Sequence, residues 1–293
     1  MNPSIATDRT HQPSRLPKLK LKLSTVIVAI LAIVWLLFSF YPIFYIMFSS
    51  FHDQKGFLIG NIWLPPADPT IKNYVDVINA GFVRFFLNSA FVSVISVLCI
   101  VTFSLMASFV LVNVKTATSR SILNLFLVAL AIPIQALIIP IYTMVYRANL
   151  YDNLWGIILP SIAFGLPLTI LILVNFLRDI PSSLYEAMII DGVGEYSLLY
   201  HLVIPLSIPA LFAVGIYQFI QVWNNFLFPL VLTQSENKRL LPLAVFAFVG
   251  EHSVNVPGIM AAVVLSALPL ILGYIFSRKY LLAAMSAAMA VSK

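Results

Sequence analysis

The residues with the strongest claim to chemistry lie in one polar stretch, Pro181-Ser-Ser-Leu-Tyr-Glu-Ala-Met-Ile-Ile-Asp-Gly-Val-Gly-Glu195. Ser183 followed three residues later by Glu186 has the spacing of a capping box, in which a hydroxyl and a carboxylate each satisfy an orphaned amide at a helix start. Leu184, Met188 and Ile189 can share one apolar face of that helix. Gly192, after Asp191, enters the left-handed region without steric cost and so ends the helix and turns the chain. A second helix is expected to restart near Glu195 and to stop before Pro205. Two short helices around a glycine turn, with an apolar face too small to be a core, form a shape that docks into something.

A second set consists of amides within or bordering long apolar runs: Asn88, Gln135, Asn175, Gln218, Gln221, Asn224 and Asn225, with Trp223 among them. Sugar hydroxyls need paired donors and acceptors, and pyranose rings stack on aromatic faces, so Trp223 beside Asn224 suits a carbohydrate. In hydrocarbon the same amides serve more often as glue between helices. Both roles stay open on the sequence. Catalytic constellations are missing, with no G-x-x-x-x-G-K-[ST] phosphate loop, no nucleophile with a base and no carboxylate pair. Cys99 is the single cysteine and falls mid-span, where packing is its expected role. His11, His52, His201 and His252 are scattered over different segments, so neither a metal nor any other cofactor is expected in this chain.

These residues must be positioned by a chain that is 61% hydrophobic and only 10% charged, which is more apolar surface than a water-soluble domain of 293 residues can bury. The expected fold class is therefore an all-α membrane protein. Six stretches free of Asp, Glu, Lys and Arg are long enough to cross the hydrocarbon core, at about 24–48, 85–112, 122–146, 153–177, 208–232 and 257–276. The docking motif lies between the fourth and fifth. A basic tail over residues 1–23 precedes a polytopic domain over 24–293, and the first apolar run is too long for a signal peptide. The net charge of +6 reflects that tail and gives no reason to expect a nucleic-acid partner. With both termini inside, eleven of the 17 basic residues fall on the inner side and six on the outer, the bias that sets orientation. Prolines at 133, 140, 160, 167, 229 and 269 are expected to kink the later spans. In the outer connection, Ile71, Tyr74, Val75 and Ile78 have the spacing of a short amphipathic helix with Thr70 as its cap, whereas Gln234 to Asn237 reads as exposed.

Glu186-Ala187, Asp191-Gly192 and the later Ile204-Pro205-Leu206 with Pro209 resemble the EAA loop of ABC-importer permeases. Met188 stands where the pattern has a second alanine, and Leu202-Val-Ile204 replaces its Ile-x-Leu. Trp223-Asn224-Asn-Phe226 with Pro229-Leu230, Asn88-Ser89, Pro133 and Pro140 are similar to the carbohydrate-uptake branch, in particular to the shorter maltose-type permease subunit. The resemblance covers about residues 63–280. It implies a multi-pass protein of the bacterial inner membrane, a second similar permease, an extracytoplasmic solute-binding protein and a dimeric cytoplasmic ATPase that binds ATP and Mg. It further implies that Glu186, Ala187, Met188, Asp191 and Gly192 transmit ATP energy; Asn88, Gln135, Gln218, Gln221, Trp223, Asn224 and Asn225, read from their amides and indole, are the candidates for the cargo pathway. Uptake of an amino acid, a peptide or phosphate is the rival within this class. A secondary transporter would require repeat symmetry or titratable groups inside the spans, and the sequence has neither.

Overall fold

The computed structural model describes residues 23–248 and 254–291, so the basic tail lies outside the described residues. Those residues form α1 (Leu23–Ser50), α2 (Gln54–Ile59), α3 (Lys72–Val77), α4 (Val83–Asn113), α5 (Ala117–Leu130) and α6 (Ile138–Arg147). Then follow α7 (Leu154–Arg178), α8 (Ser182–Ile190), α9 (Glu195–Leu198), α10 (Ile204–Trp223), α11 (Leu227–Leu232) and α12 (Val256–Val291). Five helical stretches are long and apolar enough to cross a membrane; α5 with the segment through α6 makes a sixth crossing if the bent pair is one broken span. The chain divides into two units at Tyr45/Ile46. The first unit is, in its described part, most of α1, whose large side chains such as Trp35 and Phe38 are exposed, as suits a helix solvated by lipid.

In the second unit α4 and α7 make the most extensive helix pair, and α10 packs on both. Lipid tails are as apolar as leucine, so the drive to pair comes from close van der Waals fit and small residues at the interface. α4 supplies these: Ser89, Ser93, Ser96, Ser104 and Ser108 are all fully buried along one side. Ser108 Oγ donates to the Ile170 carbonyl of α7 at 3.2 Å. At Gly165 of α7 an added Cβ would lie 2.5 Å from Ile100 Cδ1 and 3.2 Å from Gln218 Oε1, so three helices meet where no side chain fits. Gly165→Val should therefore lower stability by about 1–3 kcal/mol through overpacking. Gly215→Ala on α10, whose added Cβ would have Val101 Cγ2 at 3.9 Å as its nearest contact, should be tolerated. Thermal unfolding of the two purified variants checks the contrast.

Several expectations need correction. The kink expected at Pro133 is present but goes further than a bend within one rod: α5 and the segment 134–147 meet at 94°. Pro133 sits at the break with ψ 130 as the N-cap of a 3-10 turn, because it has no N–H to donate back into α5. The fifth span ends at Trp223, and α11 is a separate helix whose first turn is capped by Asn225 Oδ1, accepting from Phe228 N at 3.1 Å. The helix before Pro205 does not stop. A π-helical turn over Leu199–Val203 lets Ile204 N–H reach the Leu199 carbonyl, so the missing donor of Pro205 is absorbed and α9 runs on into α10. In α3 the expected stripe is the wrong one: Ile71, Val75 and Ile78 are exposed, while Asn73 and Val77 are buried. Asn73 decides this, since its amide donates to the Ser50 and His52 carbonyls at 2.9 and 2.7 Å and pulls its own face inward. Thr70 does contribute, its hydroxyl accepting from Lys72 N at 3.2 Å, although Ile71 holds the N-cap position.

At the end of the bundle where α6 turns into α7, Asp152 clasps the loop after α11. It accepts from Gln234 N and Ser235 N at 2.9 Å each and from the Ser235 hydroxyl. The Ser235 hydrogen bond is the main reason its carboxyl is held below the ordinary value of 3.8. A depressed folded-state pKa means the clasp contributes fully above pH 3.8 and is lost as pH falls through the lower folded value. Amide exchange of Gln234 and Ser235 should therefore be flat from neutral pH down to that range after correction for intrinsic rates. Asp152→Ala should show fast exchange at every pH.

Candidate functional site: a helical hairpin loop and a polar cleft

The loop between α7 and α10 is built by backbone chemistry more than by side-chain caps. α8 begins at Ser182 with Pro181 at the N-cap and no side-chain cap bond, so the Ser183–Glu186 capping box is not formed. The proline fixes the entry angle and starts the helix one residue earlier. The far end follows expectation. Gly192 has φ +78. Its N–H donates to the Ile189 carbonyl, and Val193 N–H donates to the Met188 carbonyl, both at 3.0 Å. This crossed pair is a Schellman ending, which requires a left-handed residue at the position Gly192 occupies.

The loop is rooted in the bundle. Tyr185, Met188 and Val193 pack against a buried cluster that includes Leu105 and Phe109 of α4, Leu173 and Leu177 of α7 and Val203 before α10. Met188 thus faces inward, whereas Leu184 and Ile189, expected to be covered with it, stand exposed. Ile190 at 84% and Tyr196 at 88% exposure extend that crest, which flanks the Gly192 turn. Glu186, Ala187, Asp191 and Gly192 are likewise exposed. Among the described residues Glu186 has no ion-pair partner, leaving its carboxylate available.

The amides separate into two groups. Gln218, Gln221 and Asn225 line a cleft of about 210 Å³ together with Ser161, Phe164 and Tyr217. Gln218 is anchored there as the third strut of the α4–α7–α10 packing, its Nε2 donating to the Gly165 carbonyl at 3.1 Å and to Thr169 Oγ1 at 2.8 Å. Gln221 is exposed to the cleft. Asn88, Gln135, Trp223 and Asn224 are not among the lining residues. Asn88 gives its amide to the Asn237 and Arg239 carbonyls at 2.9 Å each, fastening the loop after α11. Gln135 is exposed in the 3-10 turn that breaks the third span, and Asn224 is the exposed C-cap of α10. Trp223 is only 3% exposed, stacked on Phe219 and edge-on to Phe86. Sequence reasoning overlooked Tyr217 and Ser161. Tyr217 and Gln221 are spaced i, i+4 on α10, the one-face pattern that was available as a signal.

Residues 100–287 match the family model described as binding-protein-dependent transport system inner membrane component. A chain from Caldicellulosiruptor sp. named ABC transporter permease protein ORF2 is 39% identical, the match covering 87% of this chain and 92% of that one. The sulfoquinovosyl glycerol transport system permease protein of Agrobacterium fabrum is 30% identical over 82% of this chain and 85% of its own. The diacetylchitobiose uptake system permease protein of Streptomyces coelicolor is 28% identical over 85% and 83%. In fold, the chain superposes with a TM-score of 0.77 on a chain from the structure of a bacterial ABC transporter involved in import of the acidic polysaccharide alginate. That match is 24% identical and covers 88% of this chain and 96% of the other. With a helical hairpin loop, a bundle of five to six apolar spans and a family match across residues 100–287, this chain belongs to the binding-protein-dependent transport system inner membrane components.

Proposed function

We propose that this chain is a translocation subunit of an ATP-driven importer whose cargo is a carbohydrate. The observation that carries the reading is the α8–Gly192–α9 hairpin, which presents an exposed crest around a fixed turn while its other face is locked into the cores of α4, α7 and α10. A push on such a crest moves the spans and not merely a loop. Glu186, Ala187, Met188, Asp191 and Gly192 form this lever. It docks on one subunit of a dimeric ATPase that holds ATP and Mg, so the chain itself is not catalytic. Both termini are cytoplasmic on this reading, a second similar permease completes the pathway, and an extracytoplasmic solute-binding protein delivers the cargo.

Carbohydrate is favoured as cargo by the names of the relatives and by the cleft, which combines amides with the Tyr217 ring and the Ser161 hydroxyl. Uptake of labelled di- and oligosaccharides, amino acids and phosphate, compared in cells with and without the gene, tests the proposal. Loss of about tenfold or more is expected for one carbohydrate class only. Gln221→Ala should reduce that uptake about three- to tenfold, the effect of one or two hydrogen bonds, with transporter levels unchanged. Loss of amino-acid or phosphate uptake, with every sugar unaffected, would sink the cargo assignment but leave the lever standing. Reporter fusions at Lys115 and Glu195 that read extracytoplasmic would sink both.

A further inference from the structure

A cavity of about 490 Å³ lies where α4 and α7 finish, enclosed by the α4–α5 connection, the first turns of α5 and the start of α8. Its rim carries Lys115, Arg120 and Arg178, against a single carboxylate, that of Glu186. All four are without ion-pair partners among the described residues, although the rim brings both signs of charge to one cavity. Its floor is apolar, formed by Leu111, Leu123 and Leu177. Tyr185 also lines it, and its hydroxyl is buried with no hydrogen-bond partner. Burial raises the Tyr185 pKa, so the group stays a neutral O–H donor at neutral pH.

Three cations without ion-pair partners among the described residues and an unused buried hydroxyl favour an anion with several acceptor oxygens. The apolar floor, and the position at the ends of two membrane-long helices, put that anion at the depth of lipid headgroups. We propose that this cavity binds the phosphodiester of an anionic phospholipid, with Lys115, Arg120 and Arg178 around the phosphate, the Tyr185 hydroxyl donating to it, and an acyl chain over the leucine floor. Because Glu186 and Tyr185 both belong to α8, a lipid seated there ties the hairpin to α5 and α7.

The full-length chain, purified in a neutral detergent, is titrated with dioleoyl-phosphatidylglycerol and separately with dioleoyl-phosphatidylcholine, and bound lipid is counted by native mass spectrometry. Phosphatidylglycerol should bind at one equivalent, about tenfold or more tighter than phosphatidylcholine. The combined change Lys115→Gln, Arg120→Gln and Arg178→Gln should remove that preference, whereas Arg120→Lys with Arg178→Lys keeps it, which separates loss of charge from loss of fold. Tyr185→Phe should weaken phosphatidylglycerol about threefold or more while leaving lipid-free thermal stability equal or higher, since it deletes an unsatisfied hydroxyl. Equal binding of the two lipids, or an undiminished preference in the triple variant, overturns the proposal. Displacement of phosphatidylglycerol by millimolar inorganic phosphate also overturns it, because the site would then be built for a free anion and not for a lipid.

Discussion

Gly192→Val is expected to abolish ATP-driven uptake, by about tenfold or more, in a protein that still inserts and still forms its spans. The reason is conformational and not steric: nothing lies within 4 Å of where a Cβ would be, but the residue sits at φ +78. The left-handed region costs an ordinary L-residue about 1–2 kcal/mol, and a β-branched one more. That strain is relieved by opening the two crossed hydrogen bonds to Ile189 and Met188, after which the crest of α8 no longer keeps a fixed angle to the core. Gly192→Asn should retain most activity, because asparagine visits the left-handed region readily. Gly194→Ala is the local control, since Gly194 has φ −73 and open space around it. Uptake into proteoliposomes, normalised to inserted protein, gives the order. Valine behaving like wild type, or asparagine failing as badly as valine, would show that the turn geometry is not what transmits the force.

Trp223→Ala is expected to damage stability and not cargo recognition. The indole packs with Phe85, Leu241 and Ala244, stacks on Phe219 of α10 and meets Phe86 of α4 edge-on, so the change empties the contact that holds α4, α10 and the 3-10 segment Leu241–Phe248 together. Deleting a large buried aromatic costs about 3–5 kcal/mol, part of it from the cavity left behind. The indole N–H contributes little, lying 3.4 Å from the Ser266 carbonyl. Trp223→Phe, which keeps a ring in the gap, should therefore recover most of the loss. Thermal unfolding should fall steeply for alanine, whereas the assembled fraction that survives should keep an unchanged half-saturating cargo concentration. A stable alanine variant with altered cargo preference would return Trp223 to the pathway and contradict the packing described above.

Legibility differed between elements for identifiable reasons. The spans were readable because crossing a bilayer demands about 20 residues without charge, a constraint that is local and one-dimensional. Gly192 was readable for a similar reason, as a left-handed turn needs a particular residue at a particular place. Asn88, Trp223 and Gln221 were indistinguishable on the same footing. Each is a polar-capable side chain in or beside an apolar run, and only its neighbours from distant segments decide its role. Asn237 and Arg239 claim the Asn88 amide, Phe86 and Phe219 enclose Trp223, and Gln221 is left facing the cleft.

The sequence by itself determined that this is a helical membrane protein, which apolar stretches are long enough to cross a bilayer, and that a hairpin with a glycine turn stands between the fourth and the fifth. Hydrophobic length and turn chemistry act within a few residues and leave no alternative. The tertiary structure alone decided that Pro133 breaks a span while Pro205 is carried through one. Each proline frees backbone groups, and the outcome depends on whether the chain can re-satisfy them locally. A π turn does so before Pro205, whereas at Pro133 the helix gives way and a new one starts at 94°. It also decided which face of α3 is buried, through the two carbonyls that Asn73 reaches across more than 20 residues of chain, and it gathered Lys115, Arg120 and Arg178 around one cavity. Long-range pairing of this kind is set by which surfaces fit when the helices close, and no periodicity along a single segment encodes it.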